Sequence, residues 1–192
     1  MSVELVQTWG SDDLIARCAR MSYGKFNAEN KTDDKLIAAL RRKGHWTPFS
    51  HAGATFHIRA PLFIARQLGR HTVGFTWSEK SGRYADADTE CYMPSLNVEG
   101  TDHWQSAYVK AMLTYQEMVN HGIPREQARA LLPQGMMTNW IWSGNIAAWQ
   151  RLFYWRLDKA AQKETRDIVQ QIHDLLVTPF PLSLGVVKYY SE

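Results

Sequence analysis

The chain has 192 residues, 45% hydrophobic and 21% charged, with a formal net charge of +3. That length fits one domain with a real core, and mild basicity suits a small anionic substrate without demanding nucleic acid. Two cysteines, Cys18 and Cys91, exclude a disulfide framework or a cysteine-rich zinc site. No apolar run is long enough to span a bilayer, and MSVELVQTWG lacks the charged-then-apolar order of a secretory signal, so a cytoplasmic location is expected.

Ser11-Asp12-Asp13 predicts the cap of an amphipathic helix with Leu14, Ile15 and Cys18 on one face. Thr32-Asp33-Asp34 opens a second helix, apolar at Leu36, Ile37 and Leu40 and basic at Arg41, Arg42 and Lys43, an order that suits the helix dipole. Ala54, Phe56 and Ile58 alternate with Thr55, His57 and Arg59, which is strand period. Pro61 precedes a predicted helix over 62–70, and the spacing of Gln67, Arg70 and His71 puts them on one helix face. Gly74, Gly82, Pro94 and Gly100 mark residues 72–101 as loop and short strand. A long helix is expected from Thr101-Asp102 to His121-Gly122, and another from Pro124 that Pro133 closes. Residues 136–143 read as a strand, and 145–156 and 161–176 as two more helices. The whole predicts a single α+β domain over residues 1–192, with more helix than strand.

The densest chemistry lies in RHTVGFTWSEKSGRY, residues 70–84. A Ser81-Gly82 turn offers N–H groups and a hydroxyl to an anion, and Arg83 adds a planar fork suited to phosphate oxygens. The competing reading is a surface loop whose arginines pair with Glu79, Asp86 or Asp88. Arg129, beside Ala128, Leu131 and Leu132, and Arg156, closing WQRLFYW, sit in apolar surroundings. A buried arginine needs an anionic partner, supplied either by a ligand or by Glu126 and Asp158. Trp77, Trp140, Trp142, Trp149 and Trp155 accompany these arginines and are expected in the core, with a stacking surface for a planar ligand as the alternative. Histidines 45, 51, 57 and 71 lack the spacing of a metal site, so no metal is expected. Phosphate-loop, dinucleotide and nucleophile-elbow templates are absent. The residues alone define an anionic small-molecule site.

Arg70-His71, a spacer, then Ser81-Gly82-Arg83-Tyr84 resembles the signature of the flavin-dependent thymidylate synthases. ARCARMSY (16–23), GHWTPFSHAGATFHIRAPLFIARQLGRH (44–71), GIPREQARALLP (122–133) and the block 145–156 resemble further family blocks, in family order. The resemblance implies a small, mostly antiparallel sheet packed by helices, in a homotetramer with active sites between subunits. It implies dUMP as substrate, 5,10-methylenetetrahydrofolate as carbon donor, FAD as hydride carrier, NADPH as reductant and dTMP as product. Gln67, Arg70, Glu79, Lys80, Ser81, Gly82, Arg83, Arg129 and Arg156 would bind the nucleotide. In that set Ser81, Arg83 and Arg129 take the phosphate, while Arg156 holds and activates the pyrimidine as the catalytic residue. No cysteine nucleophile is implied.

On the flavin side, His45, Thr47, Arg70, His71, Thr72, Glu79, Asn145 and Arg151 are the expected contacts. Here the chain departs from the family pattern. Thr72 and Ala147 replace arginines, Ser50 a glutamate, Arg151 and Ser78 asparagines, and Ala160 a histidine. Two lost arginines remove diphosphate contacts of about 1.5–3 kcal/mol each. That selective change gives the alternative of a flavin-independent, folate-dependent hydroxymethyltransferase acting on C5 of dUMP or dCMP. A non-catalytic nucleotide or nucleic-acid binder is the remaining alternative.

Overall fold

The computed structural model describes residues 1–27, 33–85, 87–88, 90–94 and 100–185. Four antiparallel strands form one sheet in the order β1-β2-β4-β3, comprising β1 (Ser2–Trp9), β2 (Gly53–Pro61), β3 (Phe75–Glu79) and β4 (Met137–Asn145). The helices are α1 (Asp12–Met21), α2 (Asp33–Arg42), α3 (Leu62–Leu68), α4 (Thr101–Asn120), α5 (Arg125–Ala128), α6 (Ile146–Arg156), α7 (Lys163–Val177) and α8 (Pro181–Leu184). This is the expected α+β arrangement.

One face of the sheet is the core face. Register pairs Val3 with Ile58, Leu5 with Phe56, Phe56 with Trp142 and Ile58 with Trp140, so these side chains point the same way. Phe75 and Trp77 of β3 extend that row and stack on Trp142 and Trp140, with ring centroids 4.6 and 4.7 Å apart. Gly144 opposite Phe75 makes room, since a Cβ there would lie 2.4 Å from the Phe75 ring. α6 fills the centre through buried Ile146, Trp149, Leu152 and Phe153, and α7 covers it with Ile168, Val169, Ile172 and Leu176.

Three of the five tryptophans, Trp140, Trp142 and Trp149, are core residues as expected, whereas Trp155 is 62% exposed. Two elements were not foreseen. β1 carries a register shift between Leu5 and Gln7, which leaves Val6 facing solvent and breaks the period-two signal. α8 is a single short turn held by a distant group. Asp12, 8% exposed, accepts hydrogen bonds from the Leu182 N–H (2.7 Å), the Ser183 N–H (3.2 Å) and the Ser183 hydroxyl (2.5 Å). Ser11 caps α1 as predicted. The predicted cap at Thr32 lies outside the described residues. No described helix is long and apolar enough to cross a membrane.

Candidate functional site

The edge strand β3 leads into the Ser81-Gly82 loop. Its last residue, Glu79, accepts from the Thr138 hydroxyl (2.9 Å) and the Trp77 indole N–H (3.3 Å). The Lys80 N–H then bonds Asn139 O at 2.8 Å, extending the pairing by one residue. The chain next curls into a turn in which Tyr84 and Ala85 N–H groups both reach Ser81 O, while the Arg83 N–H bonds the Ser81 hydroxyl oxygen. Gly82 lies against Arg129, whose Cδ is 3.5 Å from where a Cβ would stand. Glu79, Lys80, Ser81, Gly82 and Arg129 line one cavity of about 610 Å³, together with Arg66 and Glu126.

Two expectations need correction here. Arg129 is exposed, not buried, because α5 and the 3-10 turn after it ride on the surface. Its Nε–H donates to the Glu126 carbonyl at 3.2 Å. The loop partners also differ, since Arg83 pairs with Glu126 (3.3 Å) and Asp88 pairs with Arg59 (3.1 Å). Asp86 lies outside the described residues. Glu126, offered by the sequence as an ion-pair partner for Arg129, lines the same cavity but pairs its carboxylate with Arg83.

A second group surrounds Arg156 at the end of α6. α3 stops at Leu68 with Gly69 as its cap, so Arg70 and His71 lie beyond the helix and do not continue the face of Gln67. Arg70 is exposed. His71 turns back, its N–H on Leu68 O at 3.0 Å, and its Nε2 accepts from Arg156 Nε at 2.9 Å. Arg156 Nη2 donates to Gln67 O at 3.3 Å. The Gln67 side chain faces α7, accepting from the Thr165 hydroxyl (2.9 Å) and donating to Gln162 (2.5 Å). Burial, then Arg156 and Arg151, hold the His71 imidazole below its usual pKa.

The 72–75 turn joins this group to the remaining flavin candidates. Arg151 Nη2 donates to Val73 O at 2.6 Å, and Thr72 O accepts the Phe75 N–H. Asn145 caps α6 by accepting from the Ala148 N–H at 2.9 Å. Its side chain packs on Gly74, which adopts φ +78°, a conformation glycine tolerates. His45 and Thr47 belong to a separate open cavity of about 730 Å³ between α1 and α2, shared with Trp46, Lys43 and His51. The chain therefore brings the expected residues together in three groups, not one.

Neither thiol is primed for attack. Burial raises Cys18 against an opposing effect of Arg17, and burial with Asp88 and Glu90 raises Cys91. Among the described residues, no three or more His, Cys, Asp or Glu side chains are placed to hold a metal ion.

The α+β domain thus carries a cavity lined by Arg129 and the Ser81-Gly82 turn, and, in a separate group, an Arg156 guanidinium bonded only to uncharged acceptors among the described residues. Residues 4–182 match the family model described as thymidylate synthase complementing protein. The flavin-dependent thymidylate synthase of Thermotoga neapolitana is 35% identical, covering 97% of this chain and 91% of that protein. That of Pseudothermotoga lettingae is 33% identical over 99% and 91%. A UMP/dUMP methylase, PolB from Streptomyces cacaoi, solved bound with 5-Br dUMP, superposes with a TM-score of 0.85 at 28% identity, covering 95% of this chain and 92% of that one. The chain belongs to the flavin-dependent thymidylate synthase family.

Proposed function

We propose that the protein transfers a one-carbon unit from 5,10-methylenetetrahydrofolate to C5 of dUMP, with flavin-mediated reduction, giving dTMP. NADPH supplies the reducing equivalents, and the subunits form a homotetramer with shared active sites. The observation that carries this reading is a cavity lined by Lys80, Ser81, Gly82 and Arg129, with Arg83 on the same loop, together with an Arg156 whose guanidinium meets no carboxylate among the described residues. The phosphate of dUMP fits the first and the pyrimidine carbonyl edge the second. Bound arginine N–H groups stabilise negative charge as it develops on the ring, which makes C5 chemistry accessible without a cysteine. Ser81 serves as a ligand here, since its oxygen already accepts the Arg83 N–H and no base contacts it among the described residues. The separation of the expected residues into three open groups in one subunit supports completion of each site by a neighbour.

The flavin candidates fit the group. His45, Trp46 and Thr47 give an open, aromatic-lined recess for a planar ring, and Arg151, one nitrogen anchored on Val73 O, keeps further donors for a diphosphate. When bound, FAD supplies the hydride and the folate supplies the carbon. Position 147 favours a second reading, since Ala147 is 3% exposed inside α6 and presents no cation where the family has arginine. On that reading the chain hydroxymethylates C5 of dUMP or dCMP without flavin.

Product mass separates the two. Incubation with dUMP and methylenetetrahydrofolate should yield dTMP only when reduced FAD is added. A hydroxymethyl product in both tubes selects the second reading, and no product from dUMP or dCMP rejects both. Arg83→Ala and Arg129→Ala should each weaken dUMP binding by roughly 10–100-fold, as expected for a charge-assisted phosphate contact. Calorimetric titration at fixed salt checks this, and an unchanged Kd in both variants would remove the phosphate from this cavity.

A further inference from the structure

We propose that His71 is the positioning residue for Arg156, accepting its Nε–H so that the Nη edge of the guanidinium is presented to the pyrimidine ring. This rests on the dUMP reading of the site. Arginine carries five N–H donors in a rigid plane. Two are used, Nε–H on His71 Nε2 at 2.9 Å and one Nη2–H on Gln67 O at 3.3 Å. Three remain on the Nη edge for a planar acceptor. A carboxylate partner would have taken two of them in a bidentate pair and neutralised the charge. An uncharged acceptor on Nε fixes the plane and leaves both edge and charge for the ligand.

The frame around the pair is rigid. Gln67 O is a last-turn carbonyl of α3, without a helical partner of its own, so Arg156 satisfies it. The Gln67 side chain is tied to Thr165, which is fully buried, and to Gln162. The backbone N–H of His71 is tied to Leu68 O. The charged groups facing the imidazole are Arg156 and Arg151, both from α6. Burial first, and then these two charges, disfavour a further positive charge, so the imidazole stays uncharged and its Nε2 stays an acceptor until the pH falls below the ordinary histidine range. Protonation there would set an imidazolium N–H against the Nε–H of Arg156 and release the guanidinium.

The test compares His71→Ala with His71→Gln, whose amide oxygen can stand near the place of Nε2. With saturating FAD, folate and reductant, kcat for dTMP should fall about 10–100-fold in H71A, with the KM for dUMP within about 3-fold because the phosphate contacts are untouched. H71Q should recover most of that loss and should lack the acid limb of the wild-type kcat profile. Equal rates in H71A and H71Q, a defect in KM alone, or a defect cured by excess FAD would each overturn the proposal. Imidazole ¹⁵N NMR reads the pair without turnover. His71 should titrate below its ordinary range in the wild type and move up in Arg156→Ala, and an unchanged titration would also overturn it. If the wild type makes no dTMP, the functional reading falls, while the NMR shift still decides whether His71 and Arg156 act as a pair.

Discussion

Arg156→Ala is expected to lower dTMP formation by about 10²–10³-fold, the usual loss when a preorganised donor to developing negative charge is removed. The fold should survive, because Arg156 ends α6, is only half-buried, and bonds a histidine and a carbonyl, with no ion pair among the described residues to break. Its binding of dUMP should persist through Arg83 and Arg129. Initial rates, a melting curve and a dUMP titration on one preparation check all three. Near-normal rates would show that charge on the ring is stabilised by another group. The same variant tests the shared site. Mixed oligomers of Arg156→Ala and Arg129→Ala subunits should regain part of the activity if the two arginines of one site come from different chains.

Trp149→Ala carries the largest expected effect on stability, about 3–5 kcal/mol for a large aromatic deleted from a packed core. The ring is fully buried and meets Phe56, Phe75 and Trp142 edge-on at centroid distances of 5.2, 4.7 and 5.0 Å. Its indole N–H donates to Gly144 O at 2.8 Å, so truncation also removes a buried hydrogen bond. Thermal unfolding should shift down by roughly 6–20 °C for a domain of this size. A loss below about 1 kcal/mol would mean that neighbouring rings collapse into the space.

Much of this architecture was legible because local and global signals agreed. Ala54, Phe56 and Ile58 alternate in sequence and lie buried in the same order, and Ser11 and Asn145 cap the helices they precede. The turn at Ser81-Gly82-Arg83 was legible because serine and glycine are turn residues and the Ser81 oxygen bonds the Arg83 N–H two positions on. What failed depended on distant partners. The helical spacing of Gln67, Arg70 and His71 suggested one face, but Gly69 ends α3 between them, and it is this break that turns His71 toward Arg156. Arg129 looked buried from its apolar neighbours in sequence, yet α5 packs only Ala128 inward. The dispersal of the site over three groups leaves no local trace, because it arises from how residues 45, 81 and 156 are separated in space.

Asp12 has a bearing on how the molecule is made. The carboxylate that closes α8 waits for Leu182 and Ser183, 170 and 171 positions further along the chain. The central ladder likewise joins β2 to β4 across the intervening helices. Such pairings close large loops before they return stabilising contacts, which makes folding slow. During synthesis β1, β2 and α1 emerge early and have no complete sheet to join until β4 follows them. Until then the strand edges of the nascent chain are unpaired and open to other chains. The last described helical turn thus latches the first described helix in place.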